Sequence, residues 1–473
     1  MLETIGFKFT RFFSLFINET TPANKIKELD QITKSVFGCI ALGAVGDTLG
    51  FGSGHSNSRY ITPWELCGDT ALIQNVINKN FQGNYRNICF KDDQGNQKWV
   101  ISDDTILHFM QAQVAASDFN ANQPIDKFIQ EIAKKHVQTL HYQLNHQQNE
   151  RFFGFSTQRT WNQFKDDPVN WKHFINYNSE ATGCAGTMRG MVFGLIYPGE
   201  NNQDQLVKLA VNAAFLTNPS LVSALGTLAS ASFTSFALAD IAISDWIPQL
   251  MINFQRAYEY LNALKDNENL PKAYKDLIVQ CLNEEEWEHA YECWNYFYEE
   301  ALKNEPIPSR ENLPKSFIER DCLHKKIEEF ANKKPSYPNA LTNGDRADTS
   351  IFLAFHGLLA GIRLLLDQST DQIIDSQSKP SNLRALFSKL TNEKKEAIVD
   401  EIVQFTVIHG GDCDSTGGIA LSLYGSIFGI EGVEEKHVFQ TEIAQHVYDI
   451  AVKIGSITKQ ALSRNAKMTN LQP

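Results

Sequence analysis

Apolar residues recur at helical spacing along most of the chain. In residues 34–50 (KSVFGCIALGAVGDTLG), Val36, Phe37, Ile40, Ala41 and Ala44 share one face of a 3.6-residue period. This predicts a helix that runs into the glycine-rich segment Gly50–Gly54. Ile106, Phe109, Met110, Gln113 and Val114 form a second amphipathic face behind Asp103. Residues 205–240 are small and apolar (LVKLAVNAAFL, then SALGTLASASFTSFALA), the pattern of two tightly packed buried helices. Segments 272–302, 350–367 and 416–429 repeat the helical period. Alternating patterns are scarce: short extended pieces are expected only before Ser102 (KWVI) and around Tyr60–Ile61. The polar stretches 140–180, 303–316 and 368–396 read as loops or insertions. No repeat of about 20–50 residues is visible, which argues against a solenoid. The expectation is an all-α protein with one helical domain over 34–465 and an N-terminal extension over 1–33.

Composition narrows the function classes. With 42% hydrophobic and 21% charged residues, the 473-residue chain has ample material for a core. A formal charge of −12 argues against nucleic acid or an anionic membrane as partner, since phosphate binding rests on clustered Lys and Arg. No apolar run is expected to reach the ~18–20 residues of a membrane span. The eight cysteines form no C-x-x-C pair, so reduced thiols and a cytoplasmic protein are expected. The aromatic stretch Phe7–Ile17 is flanked by Glu3 and Glu19 and reads as a docking segment or expendable arm, not a targeting peptide.

Two acidic clusters stand out. Ser102-Asp103-Asp104-Thr105 precedes an apolar-periodic helix. A hydroxyl or acid there is a common N-cap, and first-turn acids favour the helix dipole. Capping accounts for one acid; two adjacent acids between hydroxyls also suit a metal site. The second cluster, His409-Gly410-Gly411-Asp412-Cys413-Asp414-Ser415-Thr416-Gly417-Gly418, leaves an apolar run, turns through glycines and enters a helix at Ser415–Thr416. It puts two carboxylates and two hydroxyls in one turn, the oxygen donors a hard divalent cation wants. Asp412-x-Asp414-x-Thr416 also fits the nucleophile motif of haloacid-dehalogenase phosphatases, but no Lys or further acids follow it on an α/β pattern.

A third segment, 178–189 (NSEATGCAGTMR), is a small-residue turn opening a helix, where exposed N–H groups could cradle a phosphate or small residues could simply pack. His136, His141 and His146 fit no ligand spacing and read as solvated loop histidines. Trp287 and Trp294 form a helical stripe expected to pack.

Taken in order, ALGAVGDTLG (41–50), WVISDDTILH (99–108), NSEATGCAGTMRGMVFGLIYP (178–198), LVSALGTLASASFT (221–234) and HGGDCDSTGGIA (409–420) resemble the ADP-ribosylglycohydrolase family, most closely its ADP-ribosylarginine hydrolase branch. The resemblance implies an orthogonal all-α domain with two Mg²⁺ ions, Mn²⁺ being the alternative. It places Ser102, Asp103, Asp104, Asp412, Asp414 and Ser415 on metal-ligand positions. Gly183, Cys184 and Ala185 fall on the loop that holds the diphosphate of ADP-ribose, and Gly154 and Ser156 on a neighbouring substrate loop. Asp103 or Asp104 is implied as the base for the attacking water.

Three departures mark the acceptor side. Asn57 stands near the place of a usual loop Glu, Thr217-Asn218-Pro219 replaces a Thr-His-Pro, and 336–350 keeps only Tyr337 and Asp348 of the substrate loop. The implied activity is Mg-dependent cleavage of the bond between ADP-ribose and arginine on ADP-ribosylated proteins, by a monomer. The alternatives are another ADP-ribosyl linkage (Ser, Asp/Glu or a small molecule) or ADP-ribose binding without catalysis.

Overall fold

The computed structural model describes residues 23–51, 99–121, 123–145, 153–332, 344–368, 378–409 and 411–469. Each apolar-periodic stretch named above is helical there. Seven helices make the middle of the protein, labelled in chain order: α1 Gln31–Phe51, α2 Asp103–Asp118, α3 Thr187–Ile196, α4 Leu221–Leu238, α5 Ala347–Gln368, α6 Cys413–Phe428 and α7 Ala444–Thr469. The helices Gln203–Phe215, Trp246–Lys265, Glu284–Glu300 and Asn392–Thr406 pack outside them. Trp287 and Trp294 are buried in the core, as their spacing predicts.

Glycine explains the closest packing. α1 and α6 run antiparallel with backbones touching: a Cβ on Gly38 would lie 2.7 Å from Gly425 O, and one on Gly46 would lie 2.2 Å from Gly417 O. At Gly50 the added carbon would sit 2.2 Å from Asp414 N. No side chain fits in this seam, so it carries the two chain segments to one place. α3 and α4 are paired in the same way, with Gly190 against Ser230 and Gly194 against Ala231. Two buried threonines of α4 return their hydroxyl protons to the helix itself: Thr227 to Ser223 O and Thr234 to Ser230 O. Their polarity is thereby satisfied inside an apolar layer.

Several expectations are corrected. Among the described residues three helices, α1, α4 and α5, are long and apolar enough to cross a membrane, contrary to the reading that no run is. Their apolar windows are 89%, 100% and 83% buried inside the protein, so core packing accounts for that composition. Two of the three stretches read as loops contain helices: Ile125–Asn145 continues past 140 and Phe155–Phe164 follows, and Pro380–Ser388 and Asn392–Thr406 enter the third, whereas 303–316 is non-helical as expected. Polar surfaces hid their periodicity. His136 is fully buried with its ring 5.3 Å from that of Trp161, so it is no solvated histidine. His141 is exposed, but on a helix rather than a loop.

Among the described residues there is no strand, and the extended piece expected before Ser102 is one bridge from Trp99 to Thr441. α6 starts at Cys413, two residues before the predicted entry. Tyr60–Ile61, Gly52–Gly54 and His146 lie outside the described residues.

Candidate active site

The N-terminus of α2 decides between capping and a site. Ser102 Oγ accepts from Asp104 N at 3.1 Å. The other amides are taken by Asp47, a carboxylate near the C-terminal end of α1: Ser102 N donates to Asp47 Oδ2 at 3.0 Å and Thr105 N at 3.1 Å. Ser102 and Asp47 therefore do the capping that Asp103 and Asp104 might have done. Asp103 accepts instead from its own amide and from the Gly154 N–H. Asp104 Oδ2 is buried with no partner. A buried carboxylate oxygen left unpaired is costly, and marks a group arranged for something else.

The second cluster is built at the start of α6. Thr416 Oγ lies 2.6 Å from Thr406 O and 2.8 Å from Asp412 O, which pins the turn back onto the preceding helix. His409 Nε2 lies 2.8 Å from the same hydroxyl. Since the single hydroxyl proton goes to a carbonyl, that nitrogen is the donor. Asp412 at the N-cap and Asp414 in the first turn are left half-buried, and Ser415 is buried.

The two clusters, more than three hundred residues apart in sequence, meet. The Asp104 carboxyl is pushed well above the usual range by burial first, then by Asp414, Asp103, Asp412 and Asp47. Asp103 is raised by burial, then by Asp414 and Asp47. Asp412 is raised by burial, then by Asp414. Asp47 is pushed up to about 7 by burial and Asp414. Like charges this close favour protons or cations among them. Asp47 was not singled out from sequence. The available signal was a lone acid at the end of the apolar run 36–46, since a buried charge needs a partner.

The small-residue turn joins the acids. Cys184 Sγ donates to Asp412 Oδ2 at 3.3 Å and lies 3.1 Å from Ser415 Oγ. The loop is held from behind by Cys184 N donating to Asp345 O at 2.9 Å and Ala347 N donating to Thr182 O at 2.8 Å. Burial, then Asp412 and Asp104, hold the Cys184 thiol well above its ordinary range. Gly183, Cys184 and Ala185 are half-buried, as is Ser156 in the first turn after Gly154. Asp348 is brought near but spoken for: Arg346 pairs with both its oxygens, at 2.9 and 2.8 Å. Tyr337 and Asn57 lie outside the described residues.

The donor set suits a hard divalent cation: carboxylates and a serine hydroxyl, one carboxylate oxygen buried without a partner. Among the described residues no group of three or more His, Cys, Asp or Glu side chains is placed to hold a metal ion. The cluster is thus a set of donors rather than a preformed coordination shell.

The family model for ADP-ribosylglycohydrolases matches residues 29–462, which includes both clusters, the turn and the seam between them. The chain belongs to the ADP-ribosylglycohydrolase family. The chain is similar to the ADP-ribosylhydrolase ARH1 of Dictyostelium discoideum, 24% identical over 439 residues, covering 90% of this chain and 97% of that protein. A putative ADP-ribosyl glycohydrolase of Acanthamoeba polyphaga mimivirus is 23% identical over 389 residues, 81% of this chain and 62% of that protein. A solved structure described as an ADP-ribosylglycohydrolase-related protein complex aligns with a TM-score of 0.44 at 13% identity, covering 91% of this chain and all of that one. Membership in this glycohydrolase family supports hydrolysis of an ADP-ribosyl bond as the activity.

Proposed function

We propose that this ADP-ribosylglycohydrolase cleaves the N-glycosidic bond between ADP-ribose and an arginine side chain of proteins, using Mg²⁺ held by Ser102, Asp103, Asp104, Asp412, Asp414 and Ser415. The observation that carries the reading is the meeting of Asp47, Asp103, Asp104 and Asp412 around Asp414. A diphosphate ligand would be repelled from five bare carboxylates, so the site calls for cations between the two. Bound there, Mg²⁺ would polarise the ribose hydroxyls, offset charge developing at the anomeric carbon and activate a water.

The chain's own groups do the rest. Asp103, beside the Gly154 amide, and Asp104, with an unpartnered buried oxygen, would orient that water and take its proton. The Gly183–Ala185 turn lies before the N-terminus of α3, where the helix dipole favours a phosphate. Asp47 touches the backbone of Ser102 and Thr105, so it positions both acids without being a ligand in this scheme.

Release of ADP-ribose from ADP-ribosylated arginine should require Mg²⁺. Asp103→Asn and Asp414→Asn should each lower it by about a hundredfold or more, in line with the loss of a group that stabilises developing charge. Undiminished turnover in either variant would sink the assignment. A panel of Arg-, Ser- and Asp/Glu-linked substrates reads the acceptor. Fast release from a Ser or acidic linkage with none from Arg would overturn the arginine part alone.

A further inference from the structure

Arg189, in the first turn of α3, is a fully buried cation with no anion beside it. Its guanidinium turns back to neutral oxygens. Nη1 donates to Ala185 O at 3.3 Å, and Nη2 donates to Ala213 O at 2.6 Å and Thr217 Oγ1 at 3.0 Å. Nε is buried without a partner. Burial pulls the guanidinium down to about 9, which leaves it protonated at neutral pH, and no carboxylate acts on it. His136 feels the charge: burial first, then Arg189, keeps that imidazole neutral. A buried charge without a counter-ion is costly. Its place adds to the cost, since cations suit helix C-termini and this one stands at the positive N-terminal end of α3. An anion at that end would relieve both.

We propose that Arg189 is a positioning residue for the anionic part of the substrate: from behind the turn 183–185 it supplies the positive charge that a diphosphate neutralises. The inference rests on the reading of that turn as the diphosphate site. Arg189 acts through one peptide and does not touch the ligand. Because the peptide unit is planar and trans, the Gly186 N–H points opposite to the Ala185 carbonyl that Arg189 holds, out of the start of α3. Gly186 N donates to no group among the described residues. A guanidinium on the carbonyl polarises the peptide and strengthens its N–H as a donor. Arg189 therefore raises affinity for the anion and leaves the reacting groups alone.

The test uses the full-length chain with Mg²⁺ and compares ADP-ribose with adenosine, which lacks the diphosphate, in wild type, Arg189→Gln and Arg189→Lys. Calorimetry by competition gives the ratio of the two affinities. That ratio should fall tenfold or more in R189Q, which keeps a hydrogen-bond donor but no charge. It should stay within about threefold of wild type in R189K, which keeps the charge. Turnover by R189Q should show KM raised by a similar factor, with kcat changed by less than about threefold. Mg²⁺ binding within about threefold of wild type shows that the variants are folded. Equal weakening of both ligands, an unchanged ratio in R189Q, or a ratio in R189K as low as in R189Q overturns the role of Arg189. A wild type that binds ADP-ribose no better than adenosine overturns the diphosphate reading itself, and is seen without any variant.

Discussion

At the seam between α1 and α6, acids are placed by backbone lying on backbone, whereas the turn at 183–185 is placed by side chains at one remove. Gly50 lets α1 touch the amide of Asp414, and that contact sets Asp47 against the second cluster. The turn instead hangs on two backbone hydrogen bonds to the 345–347 segment. That segment is held by Arg346, which pairs with Asp348 and donates to Asn332 Oδ1 at 3.2 Å. Glu328, buried beside them, accepts from Gly344 N and from the Asn332 amide. The side proposed to hold cations is thus built from shape. The side proposed to hold substrate is built from charge. Shape fails by collision and charge fails by loss of a partner, so the two halves should respond to different substitutions.

The largest expected effect is on the charge-built half. Arg346 is 2% exposed and its guanidinium serves Asp348 and Asn332 together. Arg346→Met keeps the apolar volume but leaves Asp348 and Glu328 without their cation. Breaking a buried pair from one side costs about 3–5 kcal/mol. Denaturant unfolding measures it, and a loss below about 1 kcal/mol would mean the network does not hold the segment.

A pair of glycines sharpens the contrast. Gly50→Ala drives a carbon into backbone, 2.2 Å from Asp414 N, so the seam must open by the order of an ångström. A shift of about 1 Å at the reacting groups costs on the order of a hundredfold in turnover. Gly183→Ala meets only the Asn218 side-chain nitrogen at 3.3 Å and Asp345 O at 3.8 Å, and its neighbours can yield a few tenths of an ångström. Its stability cost should stay within about 1 kcal/mol. Measuring turnover and unfolding for both variants tests the claim; a Gly50→Ala enzyme of normal rate would remove the seam's role.

How much of this was legible in the sequence follows the same division. The helices of the core could be read because their faces are apolar at one period, as at Val36, Phe37 and Ile40. The acidic clusters could be read because each sits beside a turn or helix start, where Asp103 and Asp414 stand out. Asp47 did not stand out, since nothing local says that α1 crosses the start of α2; its role exists only after packing. The helix Phe155–Phe164 was missed because polar and aromatic residues interrupt its stripe, with Phe155 itself exposed. His136 was misread for a related reason: spacing among histidines carries no information about the Trp161 ring that covers one of them. The Arg346–Asp348 pair is local in sequence, yet its use as a brace for residues 183–185 depends on a contact across about 160 positions.

The smallest effect expected is a pH dependence confined to the charge-built half. Glu328 is 7% exposed, and burial, followed by Asp345, pushes its carboxyl up to about 7 from an ordinary 4.5. Arg346 and the Thr349 hydroxyl pull it down and Asp348 pushes it up. With the folded value above the unfolded one, the folded protein holds an extra proton between about pH 4.5 and 7. Stability from this group is then full below 4.5 and is lost as pH rises through 7. The whole shift corresponds to about 3 kcal/mol at most. Glu328→Gln removes the titration, and since the shift to about 7 already includes the attraction to Arg346, the variant should gain on wild type by at most about 3 kcal/mol by pH 8, a gain that fades to nothing near pH 4.5. Unfolding curves of wild type and Glu328→Gln across that range should therefore diverge as pH rises. Parallel curves would mean that Arg346 keeps Glu328 ionised throughout, and that the brace behind residues 183–185 is an ion-paired triad at every pH in the range.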